Sequence, residues 1–132
     1  MASTENAVGL LTPVTRVLIV DDDPSIRDVM GDFLELLGCA VQTAVNGQEA
    51  LDQVVGRAPH LVLLDYMMPV MNGREFGLEL RRRPEYGALP VVLMSAAADA
   101  DQVCEDIGAR ACLRKPFDMD ELADIVHEIA GQ

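Results

Sequence analysis

The sequence predicts an α/β fold, a (βα)5 arrangement in which a five-stranded parallel sheet is doubly wound, with helices on both faces. Three observations lead there. Short, continuously apolar runs recur along the chain, as expected of strands buried on both faces. Between them lie stretches whose apolar residues recur at helical spacing. The two patterns alternate, strand then helix, and that alternation gives a parallel sheet joined by crossover helices.

The first strand is the run 17–20, VLIV, which leads straight into Asp21, Asp22 and Asp23. Pro24 then suits the first turn of a helix carrying Ile26, Val29, Met30, Phe33, Leu34 and Leu37, and Gly38 ends it. Ala40–Ala44 is the second strand. Asn46-Gly47 turns the chain into a helix with Ala50, Leu51, Val54 and Val55, which Gly56 and Pro59 stop. The third strand, 61–64, again runs into acid, at Asp65. The loop YMMPVMNG leads to a helix with Phe76 and Leu80, closed by Pro84. Residues 90–94 form the fourth strand. Ser95-Ala96-Ala97 leaves it and enters a helix with Val103, Cys104 and Ile107, which Gly108 ends. Ala111–Arg114 is a weaker fifth strand, broken by Lys115-Pro116. Asp118 and Glu121 form a capping box for a last helix whose apolar face is Leu122, Ile125, Val126 and Ile129.

Length and composition agree. The chain has 132 residues, 50% of them hydrophobic, but only 4% aromatic and no Trp, so its core is aliphatic. The expected division is a polar tail over 1–14 and one domain over 15–132. The tail lacks the basic start and apolar segment of a signal peptide, and no apolar run is long enough to span a membrane. A net charge of −12 argues against direct nucleic-acid binding and for cations or basic partner surfaces. Cys39, Cys104 and Cys112 have no CxxC spacing and sit among apolar residues. They read as reduced core thiols, which implies a cytoplasmic location.

In parallel sheets the functional crevice lies at the carboxyl ends of the strands. Those ends carry Asp21, Asp22, Asp23, Asp65, Ser95 and Lys115. So many carboxylates need a counter-charge, and oxygen-only ligands suit Mg²⁺ or Mn²⁺. Ser95 and Lys115 offer a hydroxyl and an ammonium to phosphoryl oxygens. Asp65, alone at its strand end, is the candidate nucleophile for an acyl phosphate.

The pieces VLIVDDDPS, LVLLDYMMPVMNG, LPVVLMSA and LRKPF resemble, in order and spacing, the receiver domain of two-component response regulators, across roughly 15–129. The resemblance implies the flavodoxin-like strand order 2-1-3-4-5. It implies that Asp65 accepts a phosphoryl group from a sensor histidine kinase or a histidine phosphotransfer protein. It makes Asp21 and Asp22, with Asp65 and the backbone carbonyl of Met67, the Mg²⁺ ligands. Ser95 becomes the switch hydroxyl, Lys115 its ion-pair partner, and Lys115–Pro116 a cis peptide. The only catalysis implied is the domain's own phosphorylation and dephosphorylation. The signalling face would be formed by the fourth helix, fifth strand and fifth helix. One position departs from the family. Where it has an aromatic residue that changes rotamer, this chain has Cys112, so the loop after Ser95 is left to carry the signal. Met67 and Ala97 flank the path of an attacking water and cannot orient it, which predicts slow to moderate self-dephosphorylation.

Other readings are weaker. A haloacid-dehalogenase-type phosphatase needs a second acid where Met67 stands. A flavodoxin-type carrier needs a phosphate loop where DDDPS stands. A scaffold receiver would lack site residues that are present here. Asp23 reads as a helix cap rather than a ligand. His60 and His127 read as exposed polar residues, and Arg81-Arg82-Arg83 as solvated charge at a helix end. No winged-helix or helix-turn-helix segment precedes Gln132. That leaves a stand-alone receiver or a piece of a larger regulator, and the start at Met1 favours a native amino terminus. The downstream target is then an unknown protein. Acids crowd the signalling face, at Asp99, Asp101, Glu105, Asp106, Asp118, Asp120, Glu121, Asp124 and Glu128, so the chain is expected to be a monomer or weak dimer.

Overall fold

A computed structural model describes residues 14–131. The tail reading, apart from Val14, and the signal-peptide reading fall outside the described residues. The strands are β1 (Arg16–Val20), β2 (Ala40–Ala44), β3 (Leu61–Asp65), β4 (Val91–Ser95) and β5 (Ala111–Arg114). All are parallel, in one sheet of order β2-β1-β3-β4-β5. The helices are α1 (Pro24–Leu36), α2 (Gly47–Gly56), α3 (Gly73–Arg81), α4 (Ala100–Asp106) and α5 (Met119–Ala130). This is the predicted fold and strand order.

Side chains alternate across a strand, and here the alternation makes two cores. Leu18, Val20, Val62, Leu64, Val91 and Leu93 face α2, α3 and α4, meeting Val54, Phe76, Leu80 and Val103. Val17, Ile19, Leu61, Leu63, Val92 and Met94 face α1 and α5, meeting Met30, Leu34, Leu122 and Val126. The central strands β1, β3 and β4 are therefore apolar on both faces. The edge strand β2 is largely exposed, which is why its sequence, AVQTA, is mixed. Gly77 allows α3 to meet Ile107: a Cβ there would lie 2.7 Å from the isoleucine side chain.

Capping residues set the helix starts. Asp23 accepts from Ser25 N at 2.9 Å and caps α1, as its sequence position predicts. Asn46 caps α2, and Asn72 with Glu75 forms a capping box on α3. Asp118 and Glu121 form the predicted box on α5.

Several expectations need correction. Pro84 does not directly close α3, which ends at Arg81; it opens a 3-10 turn, Pro84–Tyr86. α4 starts only at Ala100, because residues 96–99 form a separate loop. Arg81 is not solvated charge. It is half-buried and donates to the carbonyl oxygens of Ile107 (2.8 Å), Tyr86 (3.0 Å), Leu89 (3.0 Å), Gly87 (3.3 Å) and Gly108 (3.3 Å). Only Arg82 and Arg83 behave as surface charge, pairing with Glu79.

All three cysteines are free, but only Cys39 is fully buried; Cys104 and Cys112 are half-buried between α4 and β5. Burial pushes the Cys39 thiol up to about 11. Burial, then a hydrogen bond with Cys112, pushes Cys104 up to about 12. His60 is exposed beside the first residue of β1, where its Nδ1 accepts from Arg16 N at 2.8 Å, at the opposite end of the sheet from the acids. His127 is half-buried rather than exposed.

Candidate functional site

Strand register brings the carboxyl ends level. Val20 pairs with Ala44 and Leu64, so Asp21 and Asp65 leave the sheet side by side. Ser95 pairs with Arg114, so Lys115 emerges next to it. Asp21 is 1% exposed, Asp65 7% and Ser95 3%, so water solvates them poorly. Carboxylate oxygens of Asp21, Asp22 and Asp65 lie within 4.8 Å of one another. Lys115 Nζ is 3.1 Å from Asp65 Oδ1 and 3.4 Å from Asp21 Oδ2. The Lys115–Pro116 peptide is cis. The structure thus gathers Asp21, Asp22, Asp65, Ser95 and Lys115 in one crevice, while Asp23 turns its carboxylate to α1.

Backbone contacts fix this arrangement. Asp21 N donates to Ala44 O at 3.1 Å, and Arg27 Nη1 donates to Asp21 O at 2.8 Å. Asp23 N donates to Asp21 Oδ1 at 2.9 Å, which orients that carboxylate. Ser95 Oγ accepts from Ala97 N at 3.0 Å, and Lys115 N donates to Ser95 O at 3.1 Å. Gly73 allows α3 to start hard against the end of β3, since a Cβ there would collide with the Asp65 carbonyl oxygen. Met67 is 65% exposed on the loop after Asp65. In the same loop Val70 has φ 69, an unusual conformation for a β-branched residue.

Burial raises the Asp65 carboxyl above the usual carboxylate range, and the neighbouring Asp21 charge adds to this; Lys115 opposes both without cancelling them. Burial alone would lower the Lys115 ammonium, but Asp65 and Asp21 outweigh it and the net shift is upward. Three close carboxylates with one ammonium still lack positive charge. The donors are all oxygens, and two of them are buried. This donor set fits Mg²⁺ and also accommodates Mn²⁺.

Four contacts made by three side chains carry no sequence signal. Arg27 steadies Asp21. Tyr66 OH donates to Asp99 Oδ2 at 3.1 Å. Arg114 reaches Ala97 O at 2.9 Å and Asp101 Oδ2 at 3.0 Å. The Tyr66 and Arg114 contacts join residues distant in sequence, where periodicity is blind, and Arg27 reaches back six residues from a helix to a strand end, across the break between two periods. Cys112 lies under α4, with Sγ 3.7 Å from Ala100 O. Among the described residues, no helix is long and apolar enough to cross a membrane.

Residues 17–127 match the family model described as "Response regulator receiver domain". The chain is 37% identical over 109 residues to the DNA-binding dual master transcriptional regulator RpaA of Synechocystis sp., covering 81% of this chain and 45% of that protein. It is 41% identical over 111 residues to the transcriptional regulatory protein CpxR homolog of Haemophilus influenzae, covering 83% and 47%. It therefore spans about half the length of these curated relatives. Among solved structures it is similar to the chemotaxis response regulator CheY4 of Vibrio cholerae, with a TM-score of 0.81 and 30% identity, covering 88% of this chain and 98% of that one.

Proposed function

Since this chain belongs to the response regulator receiver domain family, a module of two-component signalling, we propose that Asp65 accepts a phosphoryl group from a histidine kinase or a histidine phosphotransfer protein. The observation that carries the reading is the Asp65 carboxylate at a strand end, 3.1 Å from an ammonium and within 4.8 Å of two further carboxylates. An Asp65 oxygen attacks the phosphorus of phosphohistidine, the P–N bond breaks, and the imidazole leaves. The Lys115 ammonium is placed to pair with the transferred oxygens. The Ser95 hydroxyl, at the neighbouring strand end, turns to donate to them. Asp21, Asp22, Asp65 and the Met67 carbonyl would hold Mg²⁺, which when bound supplies the counter-charge that transfer to a carboxylate requires.

Neither Met67 nor Ala97 has a side chain that can orient an attacking water, so self-dephosphorylation is slow to moderate. The face of α4, β5 and α5 signals to a protein partner or to an output domain of a longer regulator, and the chain itself does not touch nucleic acid. Incubation with acetyl phosphate and Mg²⁺, followed by intact mass, tests the reading. One added phosphate is expected, absent in Asp65→Asn and without Mg²⁺, and decaying over minutes or longer. A wild-type chain that gains no phosphate would refute the phosphoacceptor role, and decay within seconds would refute the lifetime.

A further inference from the structure

The loop 96–99 between β4 and α4 is tied on both sides of Ala97. Ala97 N donates to Ser95 Oγ at 3.0 Å, and Ala97 O accepts from Arg114 Nη1 at 2.9 Å. The second arm of the same guanidinium pairs with Asp101, in the first turn of α4, at 3.0 Å. One side chain on β5 therefore joins the loop to the helix. Cys112, two residues earlier on the same face of the strand, touches Ala100 O through Sγ at 3.7 Å.

A Ser95 hydroxyl that turns toward Asp65 withdraws the acceptor from Ala97 N–H. The freed N–H, half-buried in a loop whose other residues are exposed, takes a water or another oxygen as its partner, and the tie that held the loop to Ser95 is gone. The carbonyl of that same residue, Ala97, is the one Arg114 holds, so a shift of Ala97 pulls on Arg114, which also holds Asp101. We propose that Arg114 is the positioning residue that couples Ser95 to α4, a task that Cys112 has no ring to perform. This rests on the reading of Asp65 and Ser95 given above. The clasp suits a switch because it is weak: the Arg114 and Asp101 side chains are 49% and 77% exposed, and exposed pairs of this kind are easily released.

Hydrogen exchange by mass spectrometry on the full chain, with and without beryllofluoride and Mg²⁺, tests the coupling; ¹⁹F NMR reads binding separately. In the wild type, beryllofluoride is expected to change exchange across 96–106. Arg114→Leu should bind beryllofluoride as the wild type does. Its exchange across 96–106 should be faster without ligand by about five-fold, and the ligand-dependent change should vanish. Asp101→Asn, which leaves the Ala97 contact intact, should lose the change in α4 and keep it in the loop; it also decides the matter if Arg114→Leu fails to fold. An unaltered response in Arg114→Leu overturns the coupling. So does its failure to bind beryllofluoride, because Arg114 would then act on the acidic site itself. A wild-type chain that binds none overturns the phosphoacceptor reading and the coupling with it, and NMR separates that result from the others.

Discussion

Without the Lys115 ammonium, Asp21 and Asp65 would face each other with side chains only 2% and 11% exposed. Lys115→Met keeps the aliphatic stem and removes the charge. It is expected to lower stability by about 1–3 kcal/mol in metal-free buffer, a loss bounded because one carboxyl can take up a proton instead. Mg²⁺ should then stabilise the variant more than it stabilises the wild type. Urea denaturation with EDTA or Mg²⁺ measures both, and equal Mg²⁺ effects would contradict the charge argument. At this scale the sequence was informative where a polar residue follows an apolar run: Asp21, Asp65 and Ser95 all stand at ends a reader can locate. It was silent on long side chains that cross the fold. A guanidinium finds its carbonyls through space, so neither Arg81 beneath α4 nor Arg114 over the loop could be placed from spacing.

The C-terminal end of α3 owes its environment to Arg81, which ties it to the 3-10 turn, the segment before β4 and the end of α4. Arg81→Ala would strand several carbonyl oxygens at once. A loss of about 2–4 kcal/mol is expected, against about 0.5 kcal/mol or less for the exposed Arg82→Ala. Chemical denaturation of the two variants side by side checks this, and similar losses would mean the five contacts contribute little. Most elements were legible because their local signals agree with their tertiary role. β2 and β5 begin and end where the sequence places them, and Asp23 and Asp118 cap as expected. The start of α4 was not legible, because what delays it is a hydrogen bond from Ala97 N to Ser95 Oγ, and apolar spacing does not register a side chain holding its own loop.

The whole molecule carries a net charge of −12. Of the acids on α4 and α5, Asp101 and Asp106 pair with Arg114 and Arg74. Self-repulsion therefore opposes both compactness and self-association on that face. Added NaCl should raise the midpoint of thermal unfolding by about 2–5 °C between low and physiological ionic strength, and the unphosphorylated chain should elute as a monomer in size-exclusion chromatography at low salt. A midpoint that falls with salt, or a tight dimer, would show that surface ion pairs outweigh repulsion. The two ends of α4 are held very unequally. At its C-terminal end Arg81 grips the carbonyls of Ile107 and Gly108, and Ile107 is seated against Gly77. At its N-terminal end Ala100 is packed in the core, but the side-chain ties are exposed or long: the Arg114–Asp101 clasp, the Tyr66–Asp99 hydrogen bond and the Cys112 thiol contact. A rod pinned at one end is a lever with its fulcrum there. Across 7 residues, about 10 Å of helix, a tilt of about 10° carries the free end roughly 2 Å while leaving the pinned end in place.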